Sequence, residues 1–218
     1  MGILENIESA WDEIPIGQFE NLYTKIFSNS VCKDCLLSKS VIDKAIQDGK
    51  SLFFRGILKD HQIPTWQEVI DDLSLSAKTP KKEDRPWAPK QHGRVDIYDD
   101  FKYISILPET TNIKMQHIKD FVMSLNNIGF LSYTTIISLT DSDPDTGPHY
   151  DDTHVFNFQL IGQSRWTIHH PDGPIEYFMN PGDFIFVPDG LVHEVKSLTP
   201  RVSLSIATMN EDKLDFYK

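Results

Sequence analysis

Residues 146–161 read TGPHYDDTHVFNFQLI, residues 181–193 read PGDFIFVPDGLVH and residues 201–207 read RVSLSIA. Side chains alternate across a strand, so Phe156, Phe158 and Leu160 share one face while Asn157 and Gln159 share the other. In the last stretch Val202, Leu204 and Ile206 lie opposite Arg201, Ser203 and Ser205. An apolar back covered by helices, with a polar lumen in front, accounts for both patterns. Further strands are predicted over 101–106, 130–139, 164–169, 175–178, 183–187 and 191–196. Turns such as Pro171-Asp172-Gly173 and Pro181-Gly182-Asp183 join them. Many short strands connected in this way predict a mainly β fold, a closed sandwich or barrel. A polar, enclosed lumen in a small barrel implies a ligand.

Upstream the periodicity turns helical. Helices are predicted over 11–29, 41–48 and 66–73, and one more inside the strand region over 113–128. Thr65 and Glu68 form a capping box, and Trp66, Val69, Ile70 and Leu73 make the apolar face behind it. Residues 76–94 hold three prolines and six bases against two acids. They read as a solvated loop, or as a lid beside the site. The expected organisation is a helical region over 1–94, ending in this basic loop and packed on a strand-rich core over 95–218, as one compact domain.

Composition narrows the function classes. The chain has 218 residues and a formal net charge of −11. An acidic total argues against general nucleic-acid binding and against docking on an anionic membrane. No apolar run reaches the length of a membrane helix, and no signal-peptide core opens the chain. The only cysteines are Cys32 and Cys35, so no disulfide framework exists and a reducing cytoplasm is expected. They form a CxxC, but no further ligands at a recognisable zinc spacing follow them, and two incidental cysteines explain it better.

His149 and Asp151, two apart at what reads as the entry of a strand, should share a face. His193 follows several strands later, just past another turn. Two neutral imidazoles and one carboxylate are the facial triad that leaves positions open on non-haem iron(II). An HxD tripeptide alone occurs by chance. The pattern Gly182…Pro188-x-Gly190-x-x-His193 adds weight because it sets strand, turn and ligand in order. His154 should face away from Asp151 by strand parity. His169 and His170, at a strand end, read as structural or exposed.

With Val155-Phe156, Gln159, Gly162 and Trp166, the His149-Tyr150-Asp151 motif resembles the cupin-like (JmjC-type) Fe(II)- and 2-oxoglutarate-dependent oxygenases. The likeness is nearest to their protein and ribosomal-protein hydroxylases. Residues 182–188, leading to His193, are similar to the segment before that group's distal histidine. The resemblance covers about residues 95–208. It implies a double-stranded β-helix, the jelly-roll or cupin barrel, backed by helices. It implies Fe(II) held by His149, Asp151 and His193. It also implies oxidative decarboxylation of 2-oxoglutarate to succinate, coupled to hydroxylation of a C–H bond.

Several relatives carry a basic anchor for the far carboxylate of 2-oxoglutarate fifteen positions after the first histidine. Here that position is Ser164, a departure from the pattern. Arg165 is adjacent but should face the other side of the strand. Arg201-Val202-Ser203 resembles the Arg-x-Ser motif of other 2-oxoglutarate oxygenases, and alternation sets Arg201 and Ser203 on the polar face. A bidentate guanidinium suits a carboxylate. Thr146 matches a position where a hydroxyl contacts the cosubstrate in some relatives. Tyr133 and Asn157 are further lumen candidates, and Trp166 is a core aromatic or a substrate platform.

Two other functions compete. A metal cupin that does not use 2-oxoglutarate would carry an HxH pair and a glutamate, and Asp151 stands in place of the second histidine. A non-catalytic metal- or ligand-binding sensor has no need of an intact triad. The substrate stays open between a protein side chain, an amino acid and another small molecule. Relatives that demethylate histones usually carry reader domains, and relatives commonly form homodimers. Asp141, Asp143, Asp145, Asp151 and Asp152 crowd the first ligand. That field suits a divalent cation and opposes a dianion, so a specific arginine in the lumen becomes a physical requirement.

Overall fold

The computed structural model describes residues 37–78, 95–98, 103–106, 112–125, 129–139 and 146–209. The helix expected over 11–29, Cys32, Cys35, residues 79–94 and Asp141, Asp143 and Asp145 lie outside them.

Helix α1 (Lys39–Asp48) buries Ile42 and Ala45. Helix α2 (Trp66–Lys78) opens on the expected capping box. The Thr65 N–H and hydroxyl donate to Glu68 Oε2 at 2.7 and 3.0 Å, and the Glu68 N–H donates back to Thr65 Oγ1 at 3.3 Å. The helix continues past its predicted end, so residues 76–78 are helical rather than part of a loop. Val69 is its buried face, whereas Ile70 stays 49% exposed. Helix α3 (Ile113–Leu125) buries Met115, Ile118, Phe121 and Val122.

The strands are β1 (Leu52–Phe54), β2 (Val95–Tyr98), β3 (Tyr103–Ile106), β4 (Gly129–Ser138), β5 (Thr146–His149) and β6 (His154–Ile161). There follow β7 (Ser164–His170), β8 (Gly173–Met179), β9 (Phe184–Val187), β10 (His193–Ser197) and β11 (Arg201–Met209). They form a seven-stranded sheet, β1-β9-β6-β11-β4-β3-β2, and a four-stranded sheet, β5-β10-β7-β8. All neighbours are antiparallel and most are not consecutive in sequence. Two such sheets make the jelly-roll double-stranded β-helix. Strands β1, β2 and β5 were not legible as separate strands. β1 pairs with β9 through Leu52↔Phe186, so the region before residue 95 lends a strand to the barrel sheet.

The expected apolar back is present. Phe156, Phe158, Leu160, Val202, Leu204 and Ile206 share one buried cluster with Ile42, Ala45, Val69 and the α3 face. The lumen is less polar than alternation alone suggests. Val155, Trp166, Ile168, Tyr177, Met179, Ile185, Val187 and Val195 form a second apolar cluster. The polar lumen is therefore confined to one region, around Asn157, Gln159 and the start of β11.

Candidate metal and cosubstrate site

The site begins with strand register. β10 pairs with β5 so that His193 lies directly opposite His149, and their ring centroids are 4.4 Å apart. Asp151 departs from the sequence expectation. It does not enter a strand with His149; β5 ends at His149 and β6 starts only at His154, so Asp151 lies in the link between them. Its Oδ2 nevertheless sits 3.6 Å from His193 Nε2. The three residues offer ligand atoms that all lie within 4.8 Å of one another.

The hydrogen bonds of the two imidazoles fit a metal. His149 Nδ1 meets Gly147 O at 2.8 Å, and His193 Nδ1 meets Leu191 O at 3.0 Å. A carbonyl only accepts, so each Nδ1 carries the proton and each Nε2 keeps its lone pair for the shared centre. Trp166 stacks on His193 at 5.6 Å and 15°. Burial, helped by neighbouring His149, pushes the His193 pKa down against the Leu191 carbonyl and Asp151 carboxylate, which raise it. The neutral ring, the ligand form, is thereby favoured.

A cavity of about 170 Å³ opens on these residues. Its wall comprises His149, Asp151, His193, Asn157, Trp166 and Arg201, with Ile136, Val155, Val195 and Ser205. Arg201 is 2% exposed; its Nε donates to Ser197 Oγ at 2.8 Å and its Nη1 to Ser203 Oγ at 2.9 Å. Asn157 Oδ1 and Trp166 Nε1 are buried without a hydrogen-bond partner among the described residues. Buried polar atoms are normally paired. A guanidinium and two unsatisfied polar atoms in one wall fit a small polar, anionic molecule bound beside a metal.

Several sequence candidates move. Arg165 lies on the outer face, where its Nη1 is 3.4 Å from Glu176 Oε1, because parity turns Ser164 and Trp166 inward. It cannot serve as a lumen anchor. Ser203 is absent from the cavity wall and bonds Arg201 instead. Position 133 pairs in register with Ile206, on the helix-facing side of the sheet, so the lumen register falls on 134 and 136 rather than on Tyr133. Position 146 pairs with Val195, a wall residue, which sets Thr146 at a lumen register position. His154 is buried outside the triad, His169 is exposed, and His170 Nε2 bonds Ser51 Oγ at 2.9 Å. Ile136 and Val195 carried no distinctive sequence signal; Val155 was visible only within the motif that follows His149, and Ser205 only as the third member of the odd series in β11.

The fold is a double-stranded β-helix similar to that of cupin-like (JmjC-type) oxygenases, and it carries a His-Asp-His group that could hold a metal. No family model matches the chain. Over 90 residues it is 28% identical to ribosomal oxygenase 2 of Rattus norvegicus, a match covering 32% of this chain and 19% of that protein. The chain thus spans about a fifth of that curated relative. The Escherichia coli ribosomal oxygenase YcfD is similar in fold, with a TM-score of 0.55 at 18% identity over 84% of this chain and 54% of that one. SnoN, a non-haem α-ketoglutarate-dependent epimerase of nogalamycin biosynthesis, gives 0.52 at 14% identity over 79% and 82% of the two chains. No described helix is long and apolar enough to cross a membrane.

Proposed function

We propose that this protein is an Fe(II)- and 2-oxoglutarate-dependent oxygenase, most simply a hydroxylase. The observation that carries this is one cavity holding both a His-Asp-His donor group and a buried arginine. A metal cupin without 2-oxoglutarate would leave that arginine unexplained. The structure of YcfD in complex with cobalt and 2-oxoglutarate, which shares this fold at a TM-score of 0.50, supports the same pairing of metal and cosubstrate.

His149 and His193 would each offer Nε2 to the metal, and Asp151 would add a carboxylate oxygen and one negative charge. Bound Fe(II) with 2-oxoglutarate supplies oxidative decarboxylation to succinate and carbon dioxide, coupled to insertion of one oxygen atom of O2 into a substrate C–H bond. Arg201 would pair with the far carboxylate of the cosubstrate, and Ser197 and Ser203 hold its guanidinium in place for that. Trp166 fixes the plane of the His193 ring and presents its N–H to the cavity wall. Val155 and Val195 keep that wall partly apolar, which limits water around the reacting centre. For the substrate we place a protein side chain first, ahead of an amino acid or small molecule, because the relatives are named ribosomal oxygenases.

Mixing apo-protein anaerobically with Fe(II) and 2-oxoglutarate tests the assignment. A weak visible charge-transfer band that is missing in His149→Ala is expected. So is 2-oxoglutarate-dependent succinate formation under oxygen. Absence of both band and succinate in the wild type would sink the proposal.

A further inference from the structure

Asp151 is the one triad residue that no strand holds. His149 ends β5 and His193 begins β10, so backbone pairing sets both histidines. Asp151 sits in the link 150–153 and its side chain is 40% exposed. Carboxylate placement within about half an ångström is what a metal site requires, so something else must hold this link.

One hydrogen bond ties this link to the turn 188–192 that delivers His193, and a second ties that turn to His154, the first residue of β6. The Gly190 N–H donates to the Asp151 carbonyl at 2.9 Å, and the Asp189 N–H donates to His154 Nδ1 at 3.0 Å. Gly190 has φ 73°, a left-handed conformation that a side chain would strain. His154 is 1% exposed, packs its ring 6.0 Å from that of Phe186, and has the Asp189 carboxylate 3.2 Å from Nδ1. An apolar side chain would fill this buried position at lower desolvation cost. What the imidazole adds is a directed polar atom facing the turn.

From these contacts we infer that His154 is a positioning residue. Its Nδ1 holds the 188–192 turn at the start of β6, directly after the link 150–153, so that the Gly190–Asp151 bond forms and the Asp151 carboxylate stays within reach of His149 and His193. The inference rests on the metal-site assignment above and concerns the mutual placement of the ligands. It gives His154 no contact with substrate.

Co(II) binding to the apo-protein, followed by its visible bands, separates the two ideas. His154→Phe keeps an aromatic ring beside Phe186 and removes the hydrogen-bonding nitrogen. His154→Asn puts a polar amide near the Nδ1 position. Loss of such an outer partner costs metal affinity about tenfold or more, so His154→Phe should raise the Co(II) Kd by that factor. The Kd is read well below the midpoint of a parallel apo-protein melt, where a purely structural role would leave it unchanged. His154→Asn should recover most of the affinity. If His154→Phe does not fold, Asp189→Pro deletes the donating N–H from the turn side and should give the same loss. Wild-type affinity in whichever of these two variants is read, or a loss that His154→Asn does not repair, overturns the proposal. A wild type that takes up no Co(II) defeats the metal assignment itself, and the positioning role with it.

Discussion

Arg201 carries its charge at 2% exposure, a position an arginine occupies only when densely hydrogen-bonded. Ser197 and Ser203 supply part of that bonding. Arg165, on β7, is half-exposed and has its Nη1 3.4 Å from Glu176 Oε1. Arg201→Ala should therefore weaken 2-oxoglutarate binding by about a hundredfold, the loss of a charge-assisted pair of about 3 kcal/mol. Arg165→Ala should leave it unchanged, and anaerobic titration of the Fe(II) complex reads both. Equal affinities across wild type and Arg201→Ala would remove the anchor. Asp72 offers a second test, far from the site. Burial raises its pKa from 3.8 to about 6, against the opposing hydrogen bond from the Asn112 N–H at 3.3 Å. The folded state keeps this proton up to about pH 6, while the unfolded chain releases it near the ordinary value. Stability from this group therefore falls as pH rises between those two values. Asp72→Asn should stabilise the fold at pH 7.5 by about 1–2 kcal/mol and make no difference at pH 3.5, as thermal melts at the two pH values will show.

At the scale of elements, alternation made β6 and β11 legible, and an apolar run between turns did the same for β9. β5 has four residues, TGPH, with no apolar pattern. It is a strand because β10 offers it an edge, and it is itself the edge of its sheet, where the missing N–H of Pro148 costs little. The same absence of a local signal explains why Asp151 was expected on a strand. The turn between β6 and β7 carries a sharper constraint. Gly162 has φ 69°, and a Cβ there would lie 2.1 Å from Pro200 O and 2.7 Å from Thr199 Oγ1. Those residues lead directly into Arg201. Gly162→Ala should cost about 3 kcal/mol or more, through a strained backbone and a forced shift of the 199–201 segment. It should also weaken 2-oxoglutarate binding; an unfolding midpoint matching wild type would contradict the close approach.

For the whole molecule, two apolar layers determine what the barrel can hold. The outer layer joins helices to the large sheet through Phe156, Phe158, Phe184 and Phe186, all fully buried. Removing most of such a ring leaves a cavity that a packed sheet cannot close. Phe158→Ala should cost about 3–5 kcal/mol, measured by urea unfolding with an unchanged m-value. The inner layer fills much of the lumen and leaves the polar cavity at the triad. The helices expected over 41–48, 66–73 and 113–128 cover the apolar back because their buried residues recur at helical spacing.

By itself, the sequence determined the chemistry available: the ligand types, the alternation that gives β11 a polar face, and the glycine turns between strands. Those are local properties, set by residue identity and by spacings of two to four. Only the tertiary structure decided which arginine reaches the cavity, which histidines oppose one another, and how Asp151 returns to them from outside a strand. These are distances across sheets and between loops. Register and hydrogen bonds between segments far apart in the chain set them, and no local pattern encodes them.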